Sequence, residues 1–133
     1  MKLHERFPYQ FSGRQLMVSL GWLPLLEKTC QDIDEALGQD KRGFHWTEIK
    51  QKYGGLRLYY EIDGPDDDVR RLVDKAILDA ELLSERICEI CGEPGKIQQQ
   101  DFWQDCLCPE HRQKRKTVKT GEWRSLVNYE RLY

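Results

Sequence analysis

Apolar side chains recur at helical spacing in two stretches of the chain and alternate with polar ones in a third. Along 21–38, "GWLPLLEKTCQDIDEALG", Leu25, Leu26, Thr29, Ile33, Ala36 and Leu37 fall together, which predicts a helix. Pro24 suits its first turn, where a backbone donor has no partner, and Gly38 suits its end. Along 65–87, "PDDDVRRLVDKAILDAELLSERI", the stripe is Val69, Leu72, Val73, Ala76, Ile77, Ala80, Leu83 and Ile87, a long amphipathic helix. Asp66, Asp67 and Asp68 stand at its start, where carboxylates cap free amides and meet the positive end of the dipole.

Between these helices, "FHWTEIKQKYGGLRLYYEIDG", 44–64, has the period of a β-hairpin. Gly54-Gly55 can supply the positive φ angles of a two-residue turn. That turn pairs Tyr53 with Leu56, Gln51 with Leu58 and Ile49 with Tyr60. One face then carries Leu56, Leu58, Tyr60 and Ile62 with Ile49 and Tyr53. The other carries Lys50, Lys52, Arg57 and Tyr59, which suit either edge protection or contact with bases and phosphates. Residues 1–19 show little periodicity and read as a loop with a short helical turn, punctuated by Pro8 and Gly13. "KIQQQDFWQDCLC", 96–108, reads as two short strands or an irregular excursion.

Charge changes the picture at two places. The 133-residue chain has a formal net charge of -2. Yet Arg112, Lys114, Arg115, Lys116 and Lys119 follow one another with no acid between, while "DGPDDD" at 63–68 has four acids and no base. A basic tail over 112–133 points to a polyanion, to an acidic protein, or simply to solubility. Trp123, Leu126, Val127 and Tyr129 within it could dock on the body or on a partner, which makes the tail partly ordered. No run approaches the roughly 18 apolar residues of a membrane span, and no secretory leader is expected at the N-terminus.

Five cysteines in such a chain bring in metal chemistry. "CEICGEPG" at 88–95 and "CLCPEH" at 106–111 place Cys88 and Cys91 on one tight turn and Cys108 and His111 on another. Gly92 and Gly95 allow the unusual backbone angles of a knuckle. Three thiolates and an imidazole select Zn²⁺ over hard ions and complete a tetrahedral shell, the pattern of a structural site with no position for a reacting water. Cys106 is an alternative ligand to Cys108, and Cys30 reads as a small apolar residue of the first helix. Reduced, metal-bound thiols fit the cytoplasm better than a disulfide framework.

The motifs "IKQKYGGLRLYYE", "CEICGEPG" and "LCPEH", with a helix between the first two, resemble a group of small bacterial and phage proteins. Their pattern runs K-E-K-[FY]-G-G-L-R, helix, C-E-x-C-G-x-P-G and a terminal L-C-x-x-H. The likeness covers residues 21–111. It implies the same order of hairpin, helix and zinc knuckle, with Cys88, Cys91, Cys108 and His111 at that group's cysteine and histidine positions. Small proteins of this kind include immunity proteins and inhibitors.

These readings converge on an α+β chain: a body over 1–87, a zinc module over 88–111 and the basic tail over 112–133. No nucleophile elbow, phosphate-cradling loop or H-x-E deaminase element is present, and His4 and His45 stand alone, so no enzyme is expected. The expected function is protein binding as an immunity protein or inhibitor, with nucleic-acid binding as the alternative. Expected contacts are Lys50, Lys52, Arg57, Tyr59, Trp46, Trp103 and Trp123, with Asp66, Asp67 and Asp68 for a basic partner.

Overall fold

A computed structural model describes residues 1–12, 15–64 and 66–133; Gly13 and Pro65 of the readings above lie outside the described residues. The architecture is α+β. Its elements are α1 (Leu3–Arg6), β1 (Met17–Ser19), α2 (Leu23–Leu37), β2 (His45–Lys52), β3 (Gly55–Glu61), α3 (Asp67–Ser84), β4 (Lys96–Gln100), β5 (Trp103–Leu107), α4 (Pro109–Arg115), α5 (Thr120–Leu126) and β6 (Tyr129–Arg131). Three two-stranded antiparallel sheets pair β1 with β6, β2 with β3 and β4 with β5. Among the described residues no helix is long and apolar enough to cross a membrane.

The two long helices form where the periodicity places them. Pro24 sits in the first turn of α2, and Gly38 ends it with φ 69°. Asp66 caps α3 by accepting from the Val69 amide at 2.8 Å. The buried stripe of α3 is narrower than expected. Val73, Ile77, Ala80 and Ser84 face the core, whereas Leu72 and Leu83 stand about half exposed because they point along the flank between α2 and α3.

The hairpin forms with a different turn. Tyr53 and Gly54, at φ 54° and 82°, make the two-residue turn, and Gly55 begins β3. Lys52 pairs with Gly55, Gln51 with Leu56 and Ile49 with Leu58. Each partner shifts by two positions, so the same side chains keep the same face. Only Tyr53 is displaced: it leaves the apolar face for the exposed tip. Gly54, the second turn residue, lies against Ile97 of the second hairpin, where a Cβ would stand 3.1 Å from its side chain. The outer edge of β3 is closed by α3: Ser84 Oγ accepts from the Leu56 amide at 2.8 Å and Glu81 from the Leu58 amide at 3.0 Å.

Two segments depart from expectation. The described residues of 1–19 are not a loose loop: Leu3, Phe7, Phe11, Leu16 and Val18 all enter the main core. Gln10, fully buried, donates to the Cys30 carbonyl at 3.1 Å and accepts from Trp46 Nε1 at 3.1 Å. Residues 112–133, read as a tail, carry the end of α4, then α5 and β6. Leu132 is fully buried in the main core, and its amide reaches the Leu16 carbonyl at 2.8 Å. The C-terminal strand therefore closes on the N-terminal one.

Candidate metal centre

Cys88, Cys91, Cys108 and His111 come together, with one ligand atom from each lying within 4.8 Å of the others. A tight turn after α3 presents the first two. The Cys88 amide donates to the Glu93 carbonyl at 2.8 Å and the Gly92 amide to the Cys88 carbonyl at 2.9 Å, with Gly92 at φ 81°. The second pair sits at the start of α4. Cys108 is its N-cap, and the sulfur accepts from the His111 amide at 3.4 Å.

The spacing of the donors matches a shared ion. Two thiolates about 2.3 Å from a tetrahedral ion stand about 3.8 Å apart, and a thiolate and imidazole nitrogen about 3.5 Å apart. Cys91 and Cys108 sulfurs are 3.8 Å apart, and His111 Nδ1 lies 3.6 Å from Cys88 Sγ and 3.2 Å from Cys108 Sγ. Burial opposes ionisation of Cys108, yet the His111 amide and the Cys91 and Cys88 thiols hold its pKa below the ordinary cysteine value. Cys91 is pushed up to about 11 by burial, aided by the Cys88 and Cys108 sulfurs beside it. Such crowded sulfurs favour a central cation, which the donor set would hold with no ligand position to spare. Cys106 lies instead in the main core, where burial raises its thiol to about 12, and Cys30 is buried there too.

A buried ion network surrounds the centre. Glu89, between the first two ligand cysteines, accepts from Arg124 at 2.6 Å and from Gln51 at 3.3 Å. Asp105 accepts from Arg115 at 3.2 Å, Arg124 at 3.0 Å and Trp103 Nε1 at 3.0 Å. Glu89, Asp105 and Arg115 are fully buried. Burial pushes the Glu89 carboxyl above the usual range against the pull of Arg124. Arg115 also holds the Val118 carbonyl at 2.9 Å and the Thr120 hydroxyl, bending the chain from α4 into α5. The knuckle is further held on the body by the Gly21 amide to the Glu89 carbonyl at 2.9 Å and Trp22 Nε1 to the Ile87 carbonyl at 2.9 Å. A Cβ at Gly21 would stand 2.1 Å from the Cys88 carbonyl oxygen, so only glycine fits.

The expected contact residues divide. Trp46 is fully buried and bonded to Gln10, turned inward by a bulge between Trp46 and Glu48, and Trp123 packs with Cys88, Leu107, Cys108 and Val127; buried so, neither offers its ring to a partner. Lys50, Lys52 and Tyr59 are exposed, and Arg57 and Trp103 are half-buried. Lys50 lies 3.0 Å from Glu48, and Arg57 4.0 Å from Glu85. Of the five cations in 112–119, Arg115 is consumed by Asp105 and Lys114 pairs with Glu110 at 3.2 Å. Sequence reading missed Glu89, Asp105, Arg115 and Arg124 as a unit; no periodicity marks them, and only the placing of Glu89 inside the first cysteine pair hints at an inward acid.

No protein-family model matches the chain, and neither a curated protein nor a solved structure matches it significantly.

Proposed function

We propose that the chain is a non-catalytic binding protein, stabilised by a structural Zn²⁺ on Cys88, Cys91, Cys108 and His111, that occludes a protein target in the cytoplasm as an immunity protein or inhibitor. The observation that carries the protein reading is α3. Leu72, Leu78, Leu82 and Leu83 are each about half exposed on this one helix, in a stretch, 61–86, with nine acids and four bases. Exposed leucines among acids suit a partner with an apolar and basic surface, and Asp66, Asp67 and Asp68 extend that charge. Zinc is the ion of choice because three sulfurs and one imidazole favour a soft, tetrahedral cation. A full ligand set leaves it a structural rather than a hydrolytic task.

Affinity capture of the intact protein from its host, with and without nuclease, tests this reading. A stoichiometric protein partner that survives nuclease, and that Leu78→Asp with Leu82→Asp abolishes, is the expected result. Loss of every partner on nuclease treatment contradicts it. A second reading, nucleic-acid binding, is favoured by one observation: Lys50, Lys52 and Arg124, and no carboxylate, line the clefts beside the two hairpins among the described residues.

A further inference from the structure

The tips of the hairpins β2–β3 and β4–β5 lie side by side and enclose a cleft of about 440 Å³. Tyr53, Phe102 and Trp103 line it, with Lys52, Gln99 and Gln104. The two tips display aromatics at a cost. Tyr53 and Phe102 have φ 54° and 63°, in the left-handed region that favours glycine, and Asp101 beside Phe102 has φ 54°. The turn position of Phe102 is one that glycine ordinarily fills. Yet a phenylalanine stands there with 99% of its surface exposed, and Tyr53 with 67%. A backbone strained to hold apolar rings in water points to function.

The cleft is pre-formed. Gln51 ties the hairpins together through the Gln104 carbonyl at 2.7 Å, and Gly54 rests against Ile97. A second cleft of about 370 Å³ continues from it past Gln51 and Trp103 to Lys50, Arg124 and Tyr129. Along both, Lys50, Lys52 and Arg124 line the walls and no carboxylate does among the described residues; Arg124 is held by Glu89 and Asp105 from behind, while the exposed pair of Lys50 with Glu48 can open to a competing anion. Exposed rings offer stacking faces, glutamine amides offer both donors and acceptors to base edges, and lysines meet phosphates.

We propose that the twin-tip cleft binds single-stranded nucleic acid, stacking bases on Phe102 and Tyr53 while Lys50 and Lys52 hold the backbone. This rests on the second reading above, and goes beyond it in naming single strands as the ligand and the rings of Tyr53 and Phe102 as the stacking faces. Occlusion of a protein through α3 is independent of it, since no residue of α3 lines either cleft.

The test is titration of the intact, zinc-loaded protein with fluorescein-labelled dT12, with rU12, with a 12-base-pair duplex and with maltohexaose. Trp22, Trp46 and Trp123 are buried, so quenching of the half-buried Trp103 reports on the cleft. The expected result is binding of the single strands over the duplex. Two or three phosphate contacts give a log–log salt slope of about -1.5 to -2. Phe102→Ala and Tyr53→Ala each weaken binding by about 5- to 100-fold. Phe102→Gly gives the same loss while raising Tm, which a merely structural role for this ring would not produce. Single-strand binding that survives all three variants overturns the assignment of the site and leaves the nucleic-acid reading standing. No single-strand binding overturns both. Salt-insensitive quenching by maltohexaose assigns the cleft to sugars and overturns the proposal.

Discussion

The N-terminal body and the C-terminal third of this molecule are held by different forces. The main core gathers apolar side chains from α1, β1, α2, β2, β3 and α3, with Leu132 returning from the chain's end. Among the described residues the second cluster buries Cys88, Leu107, Cys108, Trp123 and Val127, with Ile90 and Val118 partly buried against them, and two of these are candidate ligands. What replaces apolar volume there is a cluster of three cysteines and a histidine that could hold a metal ion, with four buried or half-buried charges. A region that small cannot bury enough surface to offset the entropy of ordering itself, so directional bonds take over. Directional bonds fail abruptly when one partner is lost, whereas apolar packing degrades by degrees, and substitutions can separate the two regimes.

The largest effect is expected from Cys88→Ser. Structural zinc supplies roughly 10–16 kcal/mol of apparent free energy to small modules, so losing a buried ligand should unfold residues 88–127. Circular dichroism should retain most helix from α2 and α3, while Trp123 fluorescence shifts to that of an exposed indole. Next is Asp105→Asn, which leaves Arg115 buried without its ion pair and should cost about 3–5 kcal/mol by urea denaturation. The double change Asp105→Leu with Arg115→Met should recover much of this loss, since a buried pair can be replaced by packing. Leu26→Ala, in the middle of the main core, should cost about 2–5 kcal/mol with the bound metal unchanged.

The division between the regions also marks what could be read from residues alone. Cys88, Cys91, Cys108 and His111 were legible because a metal shell demands residue types at fixed short spacing. So were α2 and α3, whose length lets a 3.6-residue period show. The hairpin was legible, but its turn was not, since "YGG" offers two candidate pairs and the structure takes the one that puts Tyr53 at a positive φ. Trp46 was read as surface because it falls in phase with Lys50 and Lys52; a bulge between Trp46 and Glu48 breaks that phase and turns the indole inward, onto Gln10. Arg115 lay hidden in a run of cations. Its burial depends on Asp105, whose own burial depends on Arg124, and no local pattern encodes such a loop of mutual compensation.

The smallest effect lies in the polar seam of the body. The Tyr9 hydroxyl donates to Asp34 at 2.6 Å and, with Lys41, holds that carboxyl below its ordinary value of 3.8. A depressed carboxylate adds stability that is present above the unfolded value and lost as pH falls through the folded one. Tyr9→Phe should remove about 1 kcal/mol at neutral pH. It should also flatten the stability profile below pH 4, where the protonated acid no longer distinguishes folded from unfolded chain.

The account stands on a metal at the junction of α3 and α4. Protein purified without added metal should carry one equivalent of zinc per chain by elemental analysis. Stripping it with a strong chelator should expose the amides of Cys88–Val127 to rapid hydrogen exchange, while those of Leu23–Leu37 and Val69–Ala80 stay protected. Protein with no bound metal, or a chelated sample whose exchange pattern is unchanged, would contradict it.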